Sequence, residues 1–330
     1  MEGPDYEARI QQQIEQYRHV ENMHDLPAIF HYWSNKHLRP KINAVLDADS
    51  MTEFYALHLF RAAKRHPPPI CFASLGAGDC SMEIEVARSL KAKGLDNFTI
   101  ECLELSPVLL ARAETAARSA GVADRLRLAP IDLNRWAPQA GAYSGVMANH
   151  SLHHMVELEY IFDHTRTALR PDGAFVTSDM IGRNGHMRWA ESQKMVESIW
   201  RFLPDRLKFN RQLQTFDEAF VNRDCSVGGF EGIRAQDILS LLVTRFEFTH
   251  FLGYGGLIDL FVDRGYGGNF DPEDEKDLAL IDFIEELNSL MLQFGIIKPT
   301  VMFAVMTPAR IGECRYFGNL SPTFSVRATV

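Results

Sequence analysis

The chain switches between two hydrophobic periods, and the places where one gives way to the other divide it. Over the first 66 residues the period is helical: Ile10, Ile14 and Tyr17 share a face, and Phe54, Leu57, His58, Phe60 and Arg61 continue such a pattern. Pro67, Pro68 and Pro69 then forbid helix, and the continuous apolar run from Ile70 to Leu75 predicts a buried strand. Strands at 70–75, 98–103 and 126–131 alternate with helices at about 80–92 and 106–120, the order of a parallel α/β sheet. The second helix is bounded chemically, because Ser106 suits its N-cap, Pro107 its first turn and Gly121 its exit. A strand at 145–149, a helix at 156–169 and a strand at 174–179 extend the series, with Arg170-Pro171-Asp172-Gly173 as the intervening turn.

Beyond Met180 the rhythm breaks. Residues 182–233 hold aromatic, arginine and helix-like segments that fit no simple crossover, which predicts an inserted cap. Alternation returns with a helix at 235–243, a strand at 246–251, an acidic helix at 274–294 and a strand at 300–306, while residues 308–330 show no clear period.

Composition narrows the function classes. With 46% apolar and 23% charged residues in 330, the chain can bury a real core and is not a disordered polymer. A net charge of -9 opposes broad attraction to nucleic acid or anionic lipid. No stretch approaches the roughly 20 apolar residues that cross a bilayer, and Met1 to Ile10 carries acids where a secretory signal carries bases. A cytoplasmic protein without nucleic-acid partner or membrane insertion is expected. Five cysteines, none spaced as C-x-x-C, suit reduced thiols better than disulfides or zinc.

The first strand runs into Ser74-Leu75-Gly76-Ala77-Gly78-Asp79-Cys80, a glycine turn opening a helix at the carboxyl end of a parallel sheet, where such folds bind ligands. A dinucleotide site would need a glycine or alanine where Ser81 stands and bare amides at the helix start. Asp79 instead places a carboxylate there, which repels phosphate and tolerates a cationic ligand such as the sulfonium of S-adenosylmethionine. Glu104, after the second strand, can accept from both hydroxyls of a ribose. After the third, Asp132 can bond an adenine amine and Leu133 can pack its ring. Each acid taken alone reads as well as a helix cap or solvated turn.

In the order of these stations, in Leu152-His153-His154 after the fourth strand and in Leu169-Arg170-Pro171-Asp172-Gly173 before the fifth, the sequence resembles class I S-adenosylmethionine-dependent methyltransferases over roughly residues 70–181. The resemblance implies a Rossmann-like, seven-stranded, mostly parallel sheet whose last strand, Thr300 to Met306, is antiparallel. It implies cofactor contacts at Gly76, Ala77, Gly78, Glu104, Leu105, Asp132, Leu133 and Asn149, and His150 is as suited to cofactor as to substrate. Two residues depart from the family pattern: Ser74 stands where an acid is common, and Cys80 where a third glycine is common. The amino-acid end of the cofactor is then held differently, with Tyr32, Trp33 and Arg39 as candidates and packing as their simpler role. The expected division is a helical N-terminal cap (1–66), a cofactor-binding core (67–181), an inserted substrate cap (182–233), completion of the sheet with an inserted helix (234–307) and a tail (308–330).

Methyl transfer to a hydroxyl needs a positioned nucleophile and a group to take its proton, a task that histidine suits near neutral pH. Asn149-His150-Ser151-Leu152-His153-His154 supplies three histidines, and Asp179, closing the neighbouring strand, falls at the same sheet edge. The pairing resembles that of small-molecule and sugar O-methyltransferases, with His153 as base, Asp179 orienting it and His154 as the nearest substitute. In the cap, His186, Arg188 and Trp189 can face the acceptor or anchor the loop. No regular ligand spacing marks a metal site. The expected reaction is methylation of a small molecule, at a sugar or natural-product hydroxyl. Methylation of an amine or protein side chain, and an idle cofactor-binding module, stay open, as does a homodimer.

Overall fold

The computed structural model describes residues 26–327. The expected face of Ile10, Ile14 and Tyr17 lies outside them. The helical preface consists of α1 (Ala28–Trp33), a π-helical turn (Ser34–Leu38), α2 (Arg39–Leu46) and α3 (Met51–Ala63). Ser50 starts α3 by accepting the Glu53 amide at 3.1 Å. Phe54, Tyr55 and Leu59 of α3 are fully buried, and full burial of an apolar side chain of this size stabilises by about 1.5–3 kcal/mol.

Eight strands form one sheet: β1 (Ile70–Leu75), β2 (Phe98–Glu104), β3 (Leu126–Pro130), β4 (Tyr143–Asn149), β5 (Leu169–Met180), β6 (Glu247–Tyr254), β7 (Val301–Thr307) and β8 (Arg315–Tyr316). Their order is β8-β6-β7-β5-β4-β1-β2-β3. β7 is antiparallel to both neighbours, β5 and β6, whereas β1 to β5 pair in parallel. The expected seven strands and the antiparallel one are present. The eighth, β8, pairs in parallel with β6 and comes from the tail, where two residues are too few to show a period.

The main helices are α4 (Ser81–Ala92), α5 (Pro107–Ser119), α6 (Leu158–Ala168), α7 (Ala190–Trp200), α8 (Ala235–Val243), α9 (Ile258–Val262), α10 (Glu275–Gln293) and α11 (Pro322–Ser325). Ser106 caps α5 as its sequence requires, accepting the Leu109 amide at 3.4 Å. One local expectation is corrected. Residues 170–173 are not a turn ahead of the fifth strand but a break inside it, because β4–β5 pairing steps from Tyr143 with Leu169 to Gly145 with Ala174. Asp172, at φ 61°, absorbs the extra residues.

After β5 the chain forms a short 3-10 turn (Asn184–His186), α7, a small hairpin (Phe209–Asn210 with Thr215–Phe216) and a loop leading to α8. β1 lies between β4 and β2, so the direction of winding reverses at β1 and opens a crevice beyond its carboxyl end. Among the described residues no helix is long and apolar enough to cross a membrane.

Candidate active site

The crevice is floored by the glycine turn. Gly76 and Gly78 have φ of 68° and 57°, and a Cβ on Gly76 would stand 2.8 Å from Cβ of Ser151. Ser151 is held there by donating from Oγ to the Leu75 carbonyl at 2.6 Å. Ala77 is buried, while Gly76 and Gly78 stay half-buried at the rim. Cys80, where a third glycine was expected, keeps a glycine-like backbone at φ 58° just ahead of α4. Asp79 accepts the Ser81 amide at 3.1 Å and so caps the helix start.

Glu104 reaches back over this turn. Its two carboxylate oxygens accept the amides of Gly78 at 3.0 Å and Ser106 at 2.8 Å. A carboxylate has about four lone-pair sites, so about two remain for a pair of neighbouring hydroxyls. Burial raises the Glu104 pKa, and the backbone amides oppose that shift. Asp132 accepts the backbone and side-chain amides of Asn134 at 2.9 and 3.0 Å, which makes it the cap of the Leu133–Arg135 turn. Leu105, Asp132, Leu133 and Asn149 are half-buried at the same strand ends.

The fourth and fifth strands supply the second half. Asp179 is fully buried and nearly saturated: Oδ2 accepts the amides of Ser151 at 2.9 Å and Leu152 at 2.7 Å, and Oδ1 those of Met180 at 2.8 Å and His153 at 3.3 Å. The same Oδ1 meets His153 Nδ1 at 2.6 Å. Burial alone would raise the Asp179 pKa, but the His153 charge holds it below the ordinary value. On the other side of the imidazole, Nε2 lies 3.5 Å from Glu231 Oε1. Burial disfavours charge on His153, yet Asp179 and then Glu231 outweigh it and raise its pKa to about 9. His154, tilted against His153 with ring centres 4.1 Å apart, is pushed down to about 3 by burial and by the His153 charge. His150 is exposed, at φ 49°, and donates its amide to the Ser178 carbonyl at 2.8 Å.

Of the three cap candidates, one joins this cluster. His186 Nε2 is 2.7 Å from Glu231 Oε1, and its ring centre is 5.3 Å from that of His153. Arg188 is buried and pairs instead with Asp259 at 2.6 Å. Trp189 lies under the guanidinium groups of Arg183 and Arg327, at 5.9 and 4.3 Å from its ring centre. In the preface, Tyr32 bonds Asp282 and Trp33 donates to Glu285 at 3.0 Å, so both pack against α10.

Three further residues carry no motif in the sequence. Tyr55 of α3 donates to the Ala148 carbonyl at 2.8 Å and accepts the Ser178 amide at 2.9 Å, joining the ends of β4 and β5. Glu83 of α4 is buried and accepts from Ser74 Oγ at 2.6 Å, returning a carboxyl to the position where Ser74 replaced the usual acid. Burial pushes the Glu83 pKa up to about 7, against the Ser74 hydrogen bond. Glu231 is met only in three dimensions; the glycines around it at Gly228, Gly229 and Gly232 are its single trace in the sequence.

A family model described as a methyltransferase domain matches residues 74–175, which run from the glycine turn into β5. No curated protein matches the chain in sequence. Among solved structures, it is similar to a geranyl diphosphate C-methyltransferase from Streptomyces coelicolor A3(2), solved with Mg2+, geranyl diphosphate and S-adenosyl-L-homocysteine. Identity is 12%, coverage is 93% of this chain and 98% of that one, and the TM-score is 0.48. An S-adenosylmethionine dependent methyltransferase from Mesorhizobium loti is similar at 15% identity, over 78% of this chain and 98% of its own, with a TM-score of 0.42. The family model and the strand order agree that residues 74–175 form a methyltransferase domain built on a mostly parallel α/β sheet.

Proposed function

We propose that the protein methylates a hydroxyl of a small molecule, a sugar or natural product, with His153 as general base and Asp179 orienting it. The observation that carries this reading is the buried 2.6 Å contact between His153 Nδ1 and Asp179 Oδ1, in a loop packed on the glycine turn through Ser151 and Gly76. S-adenosylmethionine, when bound, supplies an electrophilic methyl group on a sulfonium. The residues present fit it: Gly76 and Gly78 hold the turn at positive φ at the rim of the crevice, and Glu104 keeps acceptor sites for two ribose hydroxyls. Asp132, Leu133, Leu105 and Asn149 complete the rim, with His150 beside them.

Asp179 fixes the tautomer. With a pKa raised to about 9, His153 carries a proton on Nε2 at neutral pH, facing Glu231; once that proton is lost, Nδ1–H stays donated to Asp179, the Nε2 lone pair points outward, and an entering hydroxyl takes the place of Glu231 as partner of Nε2. Its proton would pass to Nε2 as the oxygen takes the methyl carbon and the carbon–sulfur bond breaks, the sulfonium leaving as a neutral thioether. The amides that saturate Asp179 prevent its carboxylate from rotating, so the ring is held by a rigid partner.

Transfer of labelled methyl to a panel of hydroxylated small molecules, compared between wild type and H153A, tests this. The expected result is turnover with at least one hydroxyl acceptor and its loss in H153A with S-adenosylhomocysteine binding retained. Undiminished turnover in H153A, or turnover with amines alone, contradicts it.

A further inference from the structure

We propose that His153, His186 and Glu231 form a binding site for a divalent transition metal, with Asp179 as the carboxylate that orients the first of these ligands. One ring nitrogen of His153, one of His186 and a Glu231 carboxylate oxygen all lie within 4.8 Å of one another. Metal bonds of about 2.0–2.2 Å place neighbouring tetrahedral ligand atoms about 3.3–3.6 Å apart. His153 Nε2 and Glu231 Oε1 are already 3.5 Å apart. His186 and Glu231, hydrogen-bonded at 2.7 Å, need to part by less than about 1 Å. Two imidazoles and one carboxylate are a donor set for zinc, iron or manganese, and three protein ligands leave positions open for an exogenous oxygen.

The surroundings are built for ligation. Metal-bound histidines characteristically donate their second nitrogen to a carboxylate or carbonyl, and His153 Nδ1 meets a fully buried, immobilised Asp179. The two cap loops that bring His186 and Glu231 together are tied by the main chain, Gly185 N–H to the Gly232 carbonyl at 2.9 Å and Cys225 N–H to the Gly185 carbonyl at 2.9 Å. Gly185 and His186 are both left-handed, at φ 64° and 56°, a conformation costly for histidine and one that presents its ring to Glu231. A Cβ on Gly232 would stand 3.0 Å from the His186 ring, so the imidazole packs closely on this bare backbone.

The site rests on the ligand geometry and bears on the methyl-transfer reading, because a metal on His153 Nε2 would bind the acceptor oxygen directly and would take over from that nitrogen the task of activating the hydroxyl. Binding releases the proton from that nitrogen, so proton and metal compete for it. Untagged, chelator-stripped full chain is titrated with Zn2+ by calorimetry, and the loaded wild type is measured by zinc X-ray absorption. One equivalent per chain is expected, bound at least about tenfold more weakly by folded H186A and E231Q. The absorption spectrum should show a shell of nitrogen and oxygen with imidazole scattering, which does not depend on how any variant folds. No binding, sulfur in the shell, or affinity unmoved by both variants overturns the site and leaves the methyl-transfer reading standing. A zinc site as described, together with full turnover in H153A, has the opposite meaning.

Discussion

The two halves of the crevice are built in opposite ways. The cofactor half is local: Gly76, Glu104, Asp132 and Asn149 each stand at or just beyond the carboxyl end of a successive strand, and parallel pairing brings them into one row. The acceptor half is assembled from three distant loops, in which His153, His186 and Glu231 meet only because the cap folds back over β4 and β5. A row set by the sheet accommodates one ligand well and changes little, whereas loops tied by a few main-chain bonds can be rebuilt for another acceptor. On the proposed reading, cofactor binding therefore falls to the first half and choice of acceptor to the second.

Substitutions can break or sharpen that division. The largest effect is expected from H153A, which should lower kcat by about 100- to 10,000-fold while S-adenosylhomocysteine affinity, read by calorimetry, stays unchanged. Next comes Glu83, in the local half. Burial pushes its pKa from the ordinary 4.5 up to about 7, so between those values the native state holds a proton that the unfolded chain has released. Stability thus falls as pH rises from about 4.5 to about 7, with a total penalty of about 3 kcal/mol complete above that interval. Urea unfolding at about pH 5 and about pH 8 should show this loss in wild type and not in E83Q.

Glu104 separates the halves from the other side. E104A should weaken S-adenosylhomocysteine binding by about 10- to 100-fold, the value of charge-assisted hydrogen bonds, and leave zinc affinity as it was. The smallest effect is expected from W189A. Its ring packs under Arg327 and Arg183, outside the histidine cluster, so its loss should cost about 1 kcal/mol in thermal or urea stability and leave kcat/KM intact.

How much of this was legible follows the same line. Strand and helix limits from Ile70 to Ala168 were readable within a residue or two, because β-rich apolar runs, proline and capping serine act on their immediate neighbours. The approach of Glu104 to the glycine turn and of His153 to Asp179 was readable because strand order places strand ends side by side. Residues 170–173 misled, since a proline, an aspartate and a glycine describe a turn equally well outside a strand or as a break within one. Ser74 appeared to leave the glycine motif without its acid. Glu83 restores it from a helix position nine residues on, which no local pattern discloses. Glu231 was invisible for a different reason: its partners are set by loop packing, which has no period to read.

A structure with S-adenosylhomocysteine bound tests the central claim most directly. The Glu104 carboxylate should hold both ribose hydroxyls, and the sulfur should open onto the space bounded by His153, His186 and Glu231. A ligand whose sulfur faces away from those three side chains, or whose ribose bypasses Glu104, would contradict the account.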